Sequence, residues 1–503
     1  MSDTKPQREE AAMSVRGAAV WAMGGQYLSF AIQFITSVII SRLFLSPAEV
    51  GLFSIALAAA LVVSVLQDFG LTRYMSGLPS VDADTQARCS TVALLFSFVV
   101  AGLIAVSALP MAHAYGQLAL APMLLIIAAA YLFIPLAVVP MALMGRAMNF
   151  RGHFIVNLGA ALTQACVALT LAALGYSAFA LAWATLANGV ARGLIAQYLR
   201  PALPYPLRLQ GIAPVLSVGS RLSGLYANYG ISARTPDMIV GKLLGLNSVG
   251  LYSRAASLSD QFRTLISGAI GSVFYPAFAR KRDNGEPLGP AYLRVVAGYT
   301  AIIWPGMAGL ALAAEPVVKL LYGPRWEAVA PLLSTISLTE IFLVMLPLQS
   351  DLPILLGKIN QLMLYALTET CLSLTLLAAG CQWGTQGAAA SRLVYGAAWV
   401  LLYARFLHRL VGFDARQLLV IYAKSALSTL AGLAPLALTY GLWSGPSTIS
   451  LPLLCANVLL GGVLWMGTML ALRHPALDDL FGLIGHLPGG RHVQPLLDWL
   501  KPA

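Results

Sequence analysis

Four arginines lie inside segments that are otherwise apolar enough to cross a lipid bilayer, namely Arg221, Arg254, Arg263 and Arg392. Three of them fall within a single stretch, residues 217–276. A charged side chain at membrane depth is costly, and such residues usually face a cavity or a partner and mark a functional site. A guanidinium stays ionised and can bind phosphate oxygens through two parallel hydrogen bonds. The pattern therefore predicts a membrane-embedded site for an anionic group.

Different roles are expected for the four arginines. Arg221 lies near the middle of a semi-polar segment, where it would contact a substrate or form a structural ion pair. Arg254 lies near the outer end of the next segment, where it would contact substrate, belong to a gate or reach to the membrane interface. Arg392 lies early in a later span and is expected to face a cavity. Arg263 follows Asp260 by three residues, a spacing that predicts a local ion pair.

Carboxylates form a second group of candidates. Glu340 and Glu369 lie inside apolar segments, and Asp68 lies at the end of one. Desolvation favours the neutral form of a carboxyl group, so such residues can bind a proton near neutral pH and are candidates for ion coupling. Structural pairing with an arginine is the alternative for each of them. Asp237 and Lys242 are expected in an external connection, as part of a gate or as a solvated pair.

The elements that position these residues follow from the composition. The chain has 503 residues, 58% of them apolar and 10% charged, with a mean hydropathy of +0.77. A soluble chain carries about 25% charged residues. Apolar runs of about 20 residues, the length that spans the hydrocarbon core of a bilayer, recur along nearly the whole chain. These features predict an all-α polytopic membrane protein.

Other function classes lack their signatures in the sequence. The five cysteines show no paired spacing, the six histidines form no HExxH pattern, and no GxxxxGK[ST] phosphate loop occurs. We therefore expect no metal, no cofactor and no ATP-driven pump. The net charge of +11 includes no basic run longer than the three residues from Arg280 to Arg282, so a nucleic-acid partner is not expected. The polar N-terminus is unlike a cleaved signal peptide.

Fourteen spans are predicted, and positive residues orient them. Counting the flanking turns, 22 of the 31 Lys and Arg residues fall on the side of both termini and five on the opposite side. This bias places both termini in the cytoplasm. The amphipathic tail, residues 474–503, is expected to lie at the membrane surface or to be loosely ordered. The spans are expected near residues 17–40, 48–68, 88–111, 117–139, 154–174, 177–199, 212–232, 249–280, 292–313, 328–350, 360–380, 385–408, 417–441 and 450–472.

An internal repeat divides these spans. The sequence VGLFS at residues 50–54 matches VGLYS at residues 249–253, and LGYSAFALA at 174–182 weakly matches WGTQGAAAS at 383–391. The matches predict two parallel six-span units, with substrate bound between them. The predicted organisation is a cytoplasmic segment at 1–16, an N-lobe at 17–200, a C-lobe at 201–410, two further spans at 411–473 and the tail.

The sequence resembles Wzx-type polysaccharide flippases, of the superfamily that includes MATE-type multidrug exporters and the lipid II flippase. The resemblance covers most of residues 15–410 and implies two lobes of helices around a central cavity. It rests on SRLFLSPAEVGLFSIA, QDFGLTRYM, ALMGRAMNFRGHF, PDMIVGKLLGLNSVGLYSRAASL, VFYPAFAR and VVKLLYGPRWEAVAPLL.

This resemblance implies a non-enzymatic function. The family moves undecaprenyl-pyrophosphate-linked oligosaccharides across the bacterial inner membrane for lipopolysaccharide, exopolysaccharide or capsule synthesis. Alternating access coupled to H⁺ or Na⁺ is its expected mechanism, with membrane lipids, a polysaccharide polymerase and chain-length machinery as partners. In this reading Arg221, Arg254 and Arg392 bind the substrate. Export of small drugs is the alternative, although a cation exporter should favour acidic spans. A membrane glycan polymerase or ligase would need a larger external loop.

Overall fold

The computed structural model describes residues 15–65, 71–78, 80–202, 207–208, 210 and 212–477. Every regular element within these ranges is helical. The chain divides into two compact units, Met1–Lys242 and Leu243–Ala503. The lobe boundary at residues 200 and 201, drawn from the repeat, remains a prediction.

In the first unit, the central elements are two antiparallel helices, α7 and α8. They pack against each other, α7 also packs against α1, and α8 also packs against α5 and α6. The described helices of this unit are α1 (Val15–Leu43), α2 (Pro47–Ser64), α3 (Leu71–Gly77), α4 (Ala83–Tyr115), α5 (Leu120–Tyr131), α6 (Pro135–Arg146), α7 (Phe150–Ala173), α8 (Phe179–Leu199) and α9 (Ala213–Leu244), the last of which ends just past the unit boundary.

In the second unit, α13 contacts four other helices. It packs against α10, α11, α12 and α16, while α17 packs against α11 and α18. The described helices of this unit are α10 (Leu246–Asp283), α11 (Leu288–Leu312), α12 (Ala314–Tyr322), α13 (Val329–Leu343), α14 (Asp351–Leu355), α15 (Ile359–Gly380), α16 (Gly384–Val411), α17 (Ala415–Leu442) and α18 (Leu451–Ala471).

The predicted membrane spans agree with these helices. Each of the fourteen coincides with one helix or with two consecutive helices. Ten segments of the described chain have the length and hydropathy to cross a membrane, and one of them, Ile359–Val411, contains both α15 and α16. The three remaining predicted spans are α9 and α10, which carry most of the predicted site residues, and α13, which has 15 residues. The prediction of an all-α polytopic membrane protein is confirmed.

The two copies of the repeat occupy the same helical register. Val50 is the fourth residue of α2, and Val249 is the fourth residue of α10. Both valines are buried, with 3% and 0% of their surface exposed. In this register Arg254 takes the position that Ile55, a fully buried residue, holds in the first unit. The position of Arg254 on its helix is therefore an inward-facing one.

The weaker repeat has a structural basis in backbone conformation. Gly175 in the turn between α7 and α8 has a φ of 84°, and Gly384 at the start of α16 has a φ of 76°. These left-handed values are strained for residues with a side chain, which explains why glycine recurs at this point of both units.

Candidate substrate and ion sites

A charged cluster joins α10 to α13 in the second unit. The Nε of Arg263 lies 3.0 Å from Oε2 of Glu340, and the same guanidinium donates to Oδ1 of Asp260. The side chain of Glu340 is only 7% exposed, whereas that of Arg263 is 34% exposed. The predicted pair between Arg263 and Asp260 is confirmed, and Glu340 completes it. For Glu340 the geometry matches the structural pairing that was one of its two alternatives.

Arg392 extends this cluster from α16. Its Nη1 donates to the hydroxyl oxygen of Tyr252 on α10 over 3.3 Å, and its charge also attracts Glu340. Two arginines thus face two carboxylates, since Asp260 belongs to the same group. The cluster carries no net charge, so its electrostatic attraction for a further anion is weak. Its geometry holds three helices together.

Arg254 is held by aromatic rings. Its guanidinium carbon lies 5.7 Å from the ring centroid of Tyr322 and 5.7 Å from that of Trp326, and it shares a hydrogen bond with the Tyr322 hydroxyl. Both rings are buried, with Tyr322 3% and Trp326 0% exposed. A cation–π contact orients a guanidinium and leaves its net charge in place. This arrangement suits contact with an anionic group.

Glu369 on α15 has a different environment from Glu340. Its Oε1 accepts a hydrogen bond from the hydroxyl of Tyr395 over 2.8 Å, and its Oε2 accepts one from Tyr403 over 2.7 Å. Both tyrosines lie on α16, and they are 8% and 0% exposed. The carboxylate is thus oriented by hydroxyl groups inside a membrane span. Of the two described intramembrane glutamates among the candidates, Glu369 is the one without an arginine at its oxygens.

Two candidates lie beyond what the structure describes. Asp68 falls in residues 66–70, and the side chain of Arg221 on α9 also lies outside the described ones.

The connection predicted after the seventh span is helical where Asp237 and Lys242 lie, and their external placement remains a prediction. Both lie within α9, which continues to Leu244 and ends before Gly245, whose φ is 85°. Pro236 and Gly241 both lie between residues 232 and 244 without ending the helix, and a neighbouring contact stabilises the extension. The Nζ of Lys242 donates to the carbonyl of Ala114 at the end of α4. A gate role for Asp237 and Lys242 remains a prediction.

The first unit contains a polar cavity of about 530 Å³ between α1, α7 and α8. Its lining comes from residues 21–33 of α1, from residues 150–164 of α7, and from Asn188 and Arg192 on α8. Its polar lining consists mainly of the amides Gln26, Gln33, Asn157, Gln164 and Asn188, together with Ser29, His153 and Arg192.

The cavity was not predicted from the sequence, although the polar residues that line it repeat at a helical spacing. Gln26 and Gln33 are seven residues apart on α1, and Asn157 and Gln164 are seven apart on α7. A spacing of seven places two side chains on the same helix face. Arg192 is one of the 22 Lys and Arg residues assigned to the side of the termini, as part of a turn that flanks the sixth span. It lies within α8. Amide side chains carry no charge, so they do not stand out in an apolar span as ionised residues do.

Comparison with known proteins agrees with this architecture. Residues 39–331 match the family described as polysaccharide biosynthesis protein. The chain is 26% identical to the succinoglycan biosynthesis transport protein ExoT of Rhizobium meliloti (strain 1021). The alignment spans 342 residues and covers 67% of this chain and 68% of that protein. It is 21% identical over 326 residues to the lipopolysaccharide biosynthesis protein WzxC of Escherichia coli (strain K12), covering 63% of this chain and 64% of that protein.

Solved structures show the same fold at low sequence identity. The lipid II flippase MurJ in an inward closed conformation superposes with a TM-score of 0.74 at 14% identity, covering 90% of this chain and 99% of that chain. An inward-facing MATE-family multidrug transporter superposes with a TM-score of 0.59 at 16% identity, covering 79% of this chain and 100% of that chain. The resemblance to Wzx-type flippases is confirmed. Because residues 39–331 make up more than half of the 503 residues, the chain belongs to the polysaccharide biosynthesis protein family.

Proposed function

We propose that this protein is a flippase that moves an undecaprenyl-pyrophosphate-linked oligosaccharide to the outer leaflet of the bacterial cytoplasmic membrane, in the synthesis of lipopolysaccharide, exopolysaccharide or capsule. Its family supports this function, and so do two relatives whose names refer to succinoglycan transport and lipopolysaccharide biosynthesis. The described connections between helices are short, which argues against a polymerase or ligase with a catalytic external loop.

The observation that carries the proposal is the placement of Arg254. A charge occupies an inward-facing position where the first unit has the aliphatic Ile55, and the buried rings of Tyr322 and Trp326 orient it. A guanidinium in this setting can bind the oxygens of a pyrophosphate bidentately. Arg254 is therefore the residue that we assign to the pyrophosphate group. A cationic drug would be repelled at the same position.

Arg221 and Arg392 have smaller proposed roles in binding than Arg254. Arg221 lies on α9 of the first unit and remains a proposed contact for the substrate. Arg392 lies in the charge-balanced cluster with Arg263 and Glu340, so we assign it to the correct placement of α10 and α16 more than to direct binding.

Ion coupling is assigned to Glu369. Glu340 already forms an ion pair with Arg263 and also attracts Arg392, so we assign it to structural pairing. Glu369 faces the hydroxyl groups of Tyr395 and Tyr403, which can remain in place whether its charge is neutralised by H⁺ or by Na⁺. The coupling would drive the alternating exposure of the substrate to the two sides of the membrane. Cytoplasmic termini and cooperation with a polymerase and chain-length machinery belong to the same proposal.

Deletion of the gene in its host tests the function. Loss of the flippase should abolish the surface polysaccharide and leave its lipid-linked repeat unit on the cytoplasmic face, where externally added glycosidases do not reach it. Normal polysaccharide in a deletion strain without a second flippase gene would overturn the proposal. Increased sensitivity to cationic drugs with normal polysaccharide would instead favour small-molecule export.

Complementation of that strain tests the assignment of Arg254. Arg254→Gln should abolish complementation at normal protein level, and Arg254→Lys should restore it only in part, because an ammonium lacks the planar fork. Arg325→Gln is the matched control, since Arg325 is exposed and adjoins Trp326 in the chain. Full complementation by both Arg254 variants would exclude the role in anion binding.

A further inference from the structure

The cavity of the first unit has the size of a ligand site. Its volume of about 530 Å³ falls within the range of about 300–1,000 Å³ that is usual for small-molecule sites. Its walls come from α1, α7 and α8, which all belong to segments apolar enough to cross a membrane. Polar side chains at such depth face a cavity or a polar partner, because exposure to lipid is costly.

Amide side chains dominate the hydrogen-bonding capacity of the cavity. In the described part of the chain, the side chains of Gln26, Gln33 and Asn157 form no hydrogen bonds within the protein. Ser29, which also lines the cavity, is 9% exposed, and its hydroxyl oxygen has no described hydrogen-bond partner. A buried polar group without a partner costs free energy that a ligand can recover. The lining therefore offers donors and acceptors to a ligand.

Two further amides are fixed in place by each other. The Nδ2 of Asn188 donates to Oε1 of Gln164 over 3.0 Å and to the carbonyl of Ala160 over 3.1 Å. These bonds engage both N–H groups of Asn188 and leave the amide N–H groups of Gln164 available. Gln26, Gln33 and Asn157 each present a donor and an acceptor side by side, and vicinal hydroxyl groups of a sugar present the complementary pair. The chemistry of the lining matches a polyhydroxylated ligand.

Arg192 adds one positive charge to this lining. It lies one helical turn after Asn188 on α8, and it is exposed. The described residues that line the cavity include no aspartate and no glutamate. The charge of Arg192 thus favours a ligand with an anionic group and disfavours a cationic one.

Aromatic rings form the remaining wall. Trp21 and Phe154 both line the cavity and pack edge to face, with ring centroids 5.1 Å apart. Trp21 is 38% exposed, so part of its indole surface is accessible to a ligand. Rings beside hydrogen-bonding amides provide an apolar surface for the C–H face of a pyranose.

We propose that this cavity is a carbohydrate subsite, which binds a pyranose unit that carries or adjoins an anionic group. The inference rests on the proposed function, since it places the sugar of the lipid-linked substrate in the first unit. The anionic group is either a carboxylate of the sugar or the phosphate that links it to the lipid. Arg192 contacts that group, and the amides of Gln33 and Asn157 contact the hydroxyl groups.

Ligand binding to the purified full-length protein tests the subsite. The probes are a disaccharide with a uronic acid, the corresponding neutral disaccharide, and inorganic pyrophosphate, followed through Trp21 fluorescence with Trp21→Phe as the blank. Each of Gln33→Ala and Asn157→Ala should weaken binding of the uronic disaccharide about five- to tenfold, the usual effect of one lost hydrogen bond. Arg192→Gln should lower the preference for the uronic over the neutral disaccharide, and Arg192→Lys should retain most of it.

Controls separate the subsite from general effects on folding. Arg200→Gln changes an arginine at the end of the same helix, outside the cavity lining, and should bind as the unchanged protein does. Competition by pyrophosphate that depends on Arg192 identifies the linking phosphate as the anion, and its absence identifies the sugar carboxylate. Uniform binding of all three probes by all variants would overturn the proposal.

The failure of the subsite and the failure of the flippase function give different results. If the deletion strain keeps its polysaccharide while the binding of sugars still depends on Arg192 and Asn157, the function fails and the subsite stands. If the deletion strain loses its polysaccharide but Gln33→Ala, Asn157→Ala and Arg192→Gln all complement at the full rate, the function stands and the subsite fails. Variants are compared only when they elute as monodisperse protein at wild-type yield.

Discussion

The Oε2 of Glu340 lies 3.0 Å from the Nε of Arg263, and this ion pair joins α13 to α10 within the second unit. Glu340 also attracts Arg392, which approaches from α16. Glu340 and Asp260 together therefore balance two cations that would otherwise be costly inside a membrane span.

Glu340→Gln should destabilise the protein. Removing one partner of a buried pair costs about 3–5 kcal/mol, and the partial exposure of Arg263 places the expected loss near the lower end of that range. Thermal unfolding in detergent measures this loss of stability.

Asp260→Asn is the matched control, because the side chain of Asp260 is 62% exposed, and an exposed pair contributes about 0–1 kcal/mol. The double variant Glu340→Gln with Arg263→Gln should recover part of the stability. Equal melting of Glu340→Gln and the unchanged protein would show that the pair is not structural.

Glu369→Gln should separate substrate binding from ion-driven transport. The amide can still accept a hydrogen bond from Tyr395 or Tyr403, but it cannot bind H⁺ or Na⁺ as a carboxylate does. We expect normal yield and substrate binding, together with loss of flipping driven by an ion gradient in proteoliposomes. Glu327→Gln is the control, since Glu327 is an exposed glutamate of the same unit. Gradient-driven flipping by Glu369→Gln at the wild-type rate would exclude the coupling role.

The spans could be predicted from the sequence because bilayer thickness imposes a length on each of them. Their ends could not, because polar residues such as Asp237 and Lys242 were read as the start of a connection, whereas α9 continues to Leu244. Helices extend beyond the apolar core when nearby groups satisfy their polar side chains, as the Ala114 carbonyl does for Lys242. That partner comes from tertiary packing.

Part of the candidate site could also be predicted from the sequence. Intramembrane charges are rare enough to be found by inspection, and the pair of Arg263 with Asp260 follows from their spacing on one helix. The contact of Arg263 with Glu340 joins residues 77 positions apart and depends on how α10 packs on α13. The amides of the cavity were overlooked because a neutral side chain does not stand out in composition, although Gln26 and Gln33 repeat at helical spacing.

His474 should make the stability depend on pH. It follows the last span, and its Nδ1 accepts the N–H of Ala476 over 3.1 Å while its Nε2 lies 2.9 Å from the Ser425 hydroxyl. Burial, helped by the charge of Lys424, lowers the pKa of His474 from 6.5 to about 4. Because the folded pKa lies below the unfolded one, the unfolded chain binds the proton first, and stability is lost as pH falls from 6.5 toward 4.

Melting temperatures measured across that pH interval test this expectation. His474→Gln removes the titrating group and keeps an amide donor and acceptor, so its melting temperature should change less between pH 6.5 and pH 4 than that of the unchanged protein. His113→Gln is the control, because His113 lies in an exposed position on α4. The same loss of stability on acidification in both variants and in the unchanged protein would assign the effect to other groups.

At Gly461, α18 lies close to the backbone of α17. A methyl group added there would overlap the carbonyl oxygen of Gly432, whereas a methyl group at the neighbouring Gly462 would meet no atom within 4 Å. Small residues let membrane helices approach closely, and overpacking at such a contact costs about 1–3 kcal/mol. Gly461→Ala should therefore lower the melting temperature in detergent, and Gly462→Ala should leave it unchanged or raise it, since alanine is the better helix former. Both substitutions add one methyl group to α18, so the difference between their melting temperatures measures the cost of overpacking the contact with α17. Equal effects would mean that α17 and α18 can separate without cost at this point.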